Sequence, residues 1–170
     1  MGAIGLFLVA ALVLGGCSTV APVPEAEFTV NVPAEPAPPP AAPASIDTLG
    51  LVAYAASMQG KPYVLGGDSP RLGFDCSGLV HHVFGTFHFE LPRNAASMAA
   101  SLPQVPLSNI QAADLLFFNT QGSPYSHVGI YLGDGRFVHA PSPRTGRVII
   151  STMSNQYWHG RLSGARRPSL

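Results

Sequence analysis

Three side chains in this sequence could together perform thiol chemistry. Cys76 lies in Asp75-Cys76-Ser77-Gly78-Leu79-Val80, His127 opens His127-Val128-Gly129-Ile130-Tyr131, and His139 precedes Ala140. A cysteine attacks as its thiolate, and its pKa falls at a helix N-terminus and beside an imidazolium. His127 could take the thiol proton and return it to a leaving amine. His139 could orient and polarise His127, the part an Asn or Asp plays in other triads. The free backbone amide of Cys76 could help to bind an oxyanion. Asp75 opposes ionisation of its neighbour, so its charge must be taken up by capping amides or by a substrate amine.

Each piece has a plainer reading. A lone cysteine opening an apolar helix is most often a packed small residue, and strand histidines are more often satisfied polar groups than catalytic ones. The joint arrangement favours chemistry. A Cys-His-His zinc site is a further reading, but close ligand pairs and a fourth ligand are missing. No metal and no other cofactor is expected. His81, His82, His88 and His159 read as ordinary polar positions.

These residues need elements to position them. A first helix is predicted from Asp47 or Thr48 to Gln59, stopped by Gly60 and Pro62. Lys61 to Gly67 reads as a turn-rich loop. A second helix is predicted to begin at Cys76 with Asp75 as its N-cap, burying Leu79, Val80, Val83, Phe84 and Phe87. A short helix follows over Asn94 to Ser101. The pattern then turns to strands: Leu115 to Phe118, His127 to Leu132, Arg136 to Ala140, Arg147 to Ser151 and Gly164 to Arg167. Helices first and a meander of strands after predict an α+β fold, with the nucleophile's helix packed on an antiparallel sheet. Register matters here. A three-residue loop at Gly133-Asp134-Gly135 pairs Gly129 with His139 and places both histidines on one face. A two-residue loop would put them on opposite faces.

The N-terminal part of the 170-residue chain differs in kind. Gly2 to Gly16 is apolar and uncharged, too short to span a bilayer comfortably but suited to an export signal. It ends in Leu14-Gly15-Gly16-Cys17-Ser18, which resembles the bacterial lipobox, so residues 1–16 are expected to be a signal peptide and Cys17 the lipidated N-terminus. Residues 17–45 hold eight of the 17 prolines and are expected to form an extended, disordered Pro/Ala-rich linker reaching roughly 80 Å. Residues 46–170 are the expected catalytic domain, with Cys76 its one free thiol. Net charge is zero, but the nine basic residues all lie after residue 46, against six acidic ones there. That mild excess suits an anionic polymer or carboxylate-rich peptide and is too weak for nucleic acid.

The ordered set of motifs in residues 48–168 resembles the NlpC family of papain-like cell-wall peptidases. It runs through Gly60-Lys61-Pro62-Tyr63, Gly66-Gly67, Gly73-Phe74-Asp75-Cys76-Ser77-Gly78-Leu79-Val80 and Leu91-Pro92-Arg93. It continues through Asp114-Leu115-Leu116-Phe117-Phe118, His127-Val128-Gly129-Ile130-Tyr131-Leu132-Gly133, His139-Ala140 and Ala165-Arg166-Arg167. The resemblance implies a papain-like fold and a Cys76-His127-His139 triad. It also implies a substrate site drawing on Tyr63, Asp75, Ser77 and Arg93. Leu65 stands where the family often has Trp, and Met98 where Gln is common. The implied activity is hydrolysis of peptidoglycan stem peptides, at D-glutamate–diaminopimelate bonds or at diaminopimelate–D-alanine cross-links. A catalytically idle wall-binding lipoprotein, and an amidase or acyltransferase on another substrate, are the alternatives. The expected setting is a monomer anchored through Cys17 in the bacterial envelope, on the periplasmic side of an outer membrane if the host has two.

Overall fold

A loop drawn tight by glycine leads into the helix that carries Cys76. The computed structural model describes residues 47–169. The expected signal peptide, Cys17 and the Pro/Ala-rich linker lie outside the described residues. Helix α1 spans Thr48–Ser57, ending two residues before the predicted Gln59, and Gly60 turns the chain with φ +85°. Two short strands that periodicity could not reveal, β1 (Asp68–Ser69) and β2 (Gly73–Phe74), pair antiparallel in the loop that follows. Helix α2 spans Cys76–Thr86 and begins where predicted, because the Asp75 carboxylate accepts from the Gly78 amide at 2.7 Å. Its Leu79, Val80, Val83 and Phe84 are buried, each contributing on the order of 2 kcal/mol of apolar transfer. Helix α3, Ala95–Ser101, is capped by Asn94, whose side chain accepts from the Ser97 amide.

The remaining strands are β3 (Gln104–Val105), β4 (Leu115–Phe118), β5 (His127–Gly133), β6 (Arg136–His139), β7 (Ile149–Thr152) and β8 (Leu162–Arg166). They form one sheet in the order β3-β8-β4-β5-β6-β7, with every neighbouring pair antiparallel. Strand β3 and a four-residue helix α4, Gln156–His159, were not legible in the sequence. The predicted α+β architecture is the one observed. One face of the sheet, with Leu115, Phe117, Val128, Ile130 and Val138, packs with α1, α2 and α3. The other face carries a second cluster built from Leu116, Phe118, Tyr131, Phe137 and Trp158. Among the described residues no helix is long and apolar enough to cross a membrane.

Asp114 and the arginines of Ala165-Arg166-Arg167 fasten one end of β4 and β8. Arg167 meets the buried Asp114 carboxylate with two bonds of 2.8 Å. Arg166 donates to the Ala99 carbonyl at 2.8 Å, tying β8 to α3.

The β5–β6 hairpin reaches the predicted face by an unpredicted route. Gly133 pairs with Arg136, so the turn has two residues, Asp134 and Gly135, with φ of +52° and +70°. A type I′ turn requires both to be positive. A bulge between Tyr131 and Gly133 leaves Leu132 as an extra residue and restores the pairs Tyr131–Phe137 and Ile130–Val138. This is the register in which Gly129 faces His139. Gly129 itself has no room for a side chain: a Cβ there would lie 2.8 Å from Phe137 Cδ2, 3.0 Å from the Val138 oxygen and 3.1 Å from His139 Cβ. Gly129→Ala is therefore expected to destabilise the fold by about 1–3 kcal/mol, the range for overpacking, and to displace His139. Chemical denaturation checks the first effect, and an unchanged midpoint would contradict it.

Candidate active site

Helix α2 presents Cys76 half-buried at its first residue. Accounting for the first-turn amides shows what the sulfur receives. Gly78 donates to the Asp75 side chain and Leu79 to the Asp75 carbonyl. The amides of Cys76 and Ser77 remain, and both favour the thiolate, together with the amide of Val128 across on β5. Val128 follows His127, so the sulfur lies against β5 one residue from the first imidazole. These backbone amides, rather than a hydrogen bond to an imidazole, are the sulfur's partners.

The two histidines form a relay. His127 Nε2 lies 2.9 Å from His139 Nδ1, and His139 Nε2 lies 2.9 Å from Ser151 Oγ on β7. For His127 to accept a proton on Nδ1, its Nε2 must carry the hydrogen. It then donates to His139 Nδ1, and His139 donates from Nε2 to Ser151. One tautomer assignment thus satisfies every contact. The two nitrogens face each other at hydrogen-bond distance rather than converging on a shared point, as metal ligands would.

Both imidazoles are buried, His127 at 2% exposure and His139 at 0%. Trp158 on α4 encloses them: it stacks on His127 at 5.4 Å and 26°, and meets His139 edge-on at 4.5 Å and 88°. Burial holds the His127 pKa down at about 4. Burial and the neighbouring His127 hold His139 at about 2. His139 therefore stays neutral and keeps Nδ1 as an acceptor. Trp158 would give a cation formed on His127 a π face to rest against.

The expectation of a depressed thiol pKa is overturned. Burial pushes the Cys76 thiol up, the Asp75 carboxylate adds to the rise, and the three amides only partly offset it. Burial thus favours the neutral form of both the thiol and the imidazole. A proton transfer from Cys76 to His127 would then accompany attack on a carbonyl rather than precede it.

Asp75 and Arg93 are joined by two hydrogen bonds of 2.9 and 3.1 Å. Arg93 also donates to Ser77 Oγ at 2.9 Å and to the Gly67 carbonyl at 3.0 Å, and Asp75 accepts from the Gly66 amide at 2.9 Å. The pair thus ties the 62–67 loop to the start of α2. Although its own burial opposes ionisation, the Asp75 carboxyl is held below its ordinary value by Arg93 and the capping amides. Ser77 is buried at 7% exposure. Tyr63 is partly exposed, and its phenol is pushed up by burial and by the nearby Cys76 and Asp75 charges, which places it beside the nucleophile. The structure therefore gathers Tyr63, Asp75, Ser77 and Arg93 around Cys76, with three of them engaged with one another.

Two residues of the site escaped the sequence reading. Ser151 is a hydroxyl at the end of the apolar run Val148-Ile149-Ile150, on the strand beside His139. Trp158 is the only tryptophan in the chain, but it sits on a helix too short to show periodicity.

Residues 60–167 match the NlpC/P60 family. The chain is 45% identical over 113 residues to murein DD-endopeptidase MepH of Escherichia coli K12, covering 64% of this chain and 41% of that protein. It is 43% identical over 127 residues to a gamma-DL-glutamyl hydrolase of Bacillus subtilis 168, covering 74% and 30%. A solved structure from Staphylococcus aureus Mu50, described as similar to a lipoprotein of the NLP/P60 family, aligns with a TM-score of 0.64 at 36% identity. That alignment covers 72% of this chain and 42% of that one. The chain thus spans less than half the length of these relatives.

The buried relay fixes a pH dependence of stability. Unfolded histidines take up protons below about pH 6.5, whereas folded His127 stays neutral until about 4 and His139 until about 2. The unfolded chain binds more protons in that interval, so stability falls as pH drops from 6.5 towards 4. The melting temperature should decline across this range, and less so in His139→Asn. A flat profile between pH 7 and 5 would contradict the assigned neutral relay.

Proposed function

The chain belongs to the NlpC/P60 family, and on that premise we propose that it hydrolyses amide bonds of peptidoglycan, in stem peptides or their cross-links. The observation that carries this reading is the Cys76 thiol at the start of α2, one residue along β5 from a His127–His139–Ser151 relay.

In the proposed reaction the Cys76 thiol gives its proton to His127 Nδ1 as sulfur attacks the scissile carbonyl carbon. The oxyanion forms near the amides of Cys76 and Ser77. His127 passes the proton to the leaving amine, the C–N bond breaks, and a thioester remains on Cys76. A water then gives a proton to His127 and attacks the thioester, releasing the carboxylate product and restoring the thiol. His139 holds His127 through Nε2 and does not itself titrate.

The bond cut is a D-glutamate–diaminopimelate or a diaminopimelate–D-alanine amide. The name of one relative, a murein DD-endopeptidase, supports a bond in murein, and that of the other, a gamma-DL-glutamyl hydrolase, supports a bond beside a glutamyl residue. A wall-binding role without catalysis is disfavoured by the intact set of Cys76, His127 and His139.

Cys76→Ala should abolish release of fragments from purified sacculi, and His127→Ala should do nearly the same. Ser151→Ala should lower kcat only several-fold, since it acts through His139. Liquid chromatography with mass spectrometry of the digest reads all three. Near-normal release by Cys76→Ala would end the thiol mechanism.

The setting proposed for this activity is an envelope anchor at Cys17, with residues 17–45 as a tether, on the periplasmic side of an outer membrane where the host has two. The Leu14-Gly15-Gly16-Cys17 motif supports it. Cys17→Ser should move the protein from the detergent phase to the aqueous phase. A wild-type protein already in the aqueous phase would contradict the anchor.

A further inference from the structure

Most arginines of the described region are accounted for internally or lie on open surface. Arg93, Arg136 and Arg167 pair with Asp75, Asp134 and Asp114, and Arg166 is buried against the Ala99 carbonyl. Arg161 differs, because it is exposed and yet held. Its guanidinium carbon lies 3.8 Å from the centroid of the Tyr157 ring, and Nη1 donates to the Tyr157 carbonyl at 3.2 Å. Among the described residues, no carboxylate pairs with it.

Two lines of contact connect this cation to the catalytic base. One is aromatic: His127 stacks on Trp158 at 5.4 Å, Trp158 meets Tyr157 edge-on at 4.9 Å, and Tyr157 carries the guanidinium. The other is backbone. Phe118 pairs with His127 on one side and with Leu162 on the other, and the Asn119 amide donates to the Arg161 carbonyl at 2.8 Å. Two inter-strand spacings separate the His127 backbone from that of Leu162, the residue after Arg161, by about 10 Å. The surface beside Arg161 is a polar hollow lined by Asn119, Thr120, Gly122, Gly160 and Ser163.

A solvated arginine needs no such support. Holding a guanidinium in one pose removes in advance the rotamer entropy that binding would otherwise consume, and the planar fork matches a carboxylate. We propose that Arg161, held on Tyr157, and the hollow beside it form a carboxylate-binding subsite. It takes a free carboxylate of the peptide substrate away from the scissile bond. This rests on the hydrolase reading above and adds the group that the enzyme reads.

The test uses a cross-linked muropeptide with free diaminopimelate carboxylates and the same compound with those groups as carboxamides. The wild-type chain should show a KM roughly tenfold or more lower for the acid form, the scale of a charge-assisted hydrogen-bonded pair. Arg161→Ala should raise the KM for the acid form about tenfold, leave kcat within about twofold, and erase the preference. Arg161→Lys should keep part of it. An unchanged KM for the acid form in Arg161→Ala, or an equal rise for both forms, would overturn the subsite. If the wild-type chain cut neither compound, the hydrolase reading would fall separately. Calorimetry of the acid form on the wild-type and Arg161→Ala chains would then decide the subsite. Weaker binding to Arg161→Ala supports it, and equal binding overturns it.

Discussion

The 2.9 Å contact between His127 Nε2 and His139 Nδ1 is the constraint the rest of the site serves. It demands that residues on two adjacent strands share one face, and so it demands one register of β5 against β6. It also demands that His139 be neutral, because a hydrogen on His139 Nδ1 would confront the one on His127 Nε2. The protein meets the second demand by burial. Phe118, Phe137 and Trp158 surround the pair, and Ser151 takes the one hydrogen that would otherwise be left without a partner. The second hydrophobic cluster of the sheet is thus also the enclosure that sets the chemistry of the base.

On the opposite side of Cys76 a carboxylate lies beside a sulfur that would become negative in the proposed reaction. Arg93 resolves this conflict, and the solution is structural as well as electrostatic. The same guanidinium that neutralises Asp75 also binds the Gly67 carbonyl and the Ser77 hydroxyl. A buried or half-buried charge pair is worth little by itself once desolvation is counted. Here it also determines where the loop and the helix start lie relative to each other, and with them Tyr63 and Cys76.

Much of this was legible in the sequence, for identifiable reasons. Asp75 announced the start of α2 because an N-cap has a strong local signature, and α2 followed from its apolar spacing. Alternation revealed β5, and turn chemistry revealed the hairpin. The predicted face for the histidines was correct although the predicted loop was not, since a bulge at Leu132 adds the residue that the shorter turn lacks. What escaped was short or distant. Two-residue strands and a four-residue helix have no period. The Asp75–Arg93 and His139–Ser151 contacts join residues far apart in sequence, with no local pattern to mark them. The direction of the thiol pKa escaped because a sequence shows the helix terminus but not the depth at which folding leaves the sulfur.

The bulge has a consequence for how this hairpin can vary over generations. Surface loops ordinarily absorb gains and losses of residues with little penalty. The tip at Gly133, Asp134 and Gly135 exposes only the Asp134 side chain, yet its length is tied to the parity of the strands behind it. Removing one codon there would delete no core side chain and break no catalytic group. It would nonetheless turn His139 to the opposite side of the sheet from His127. Residue types at this tip are therefore free to vary where the turn permits, but a change of length by one residue needs a compensating bulge in the strands behind it.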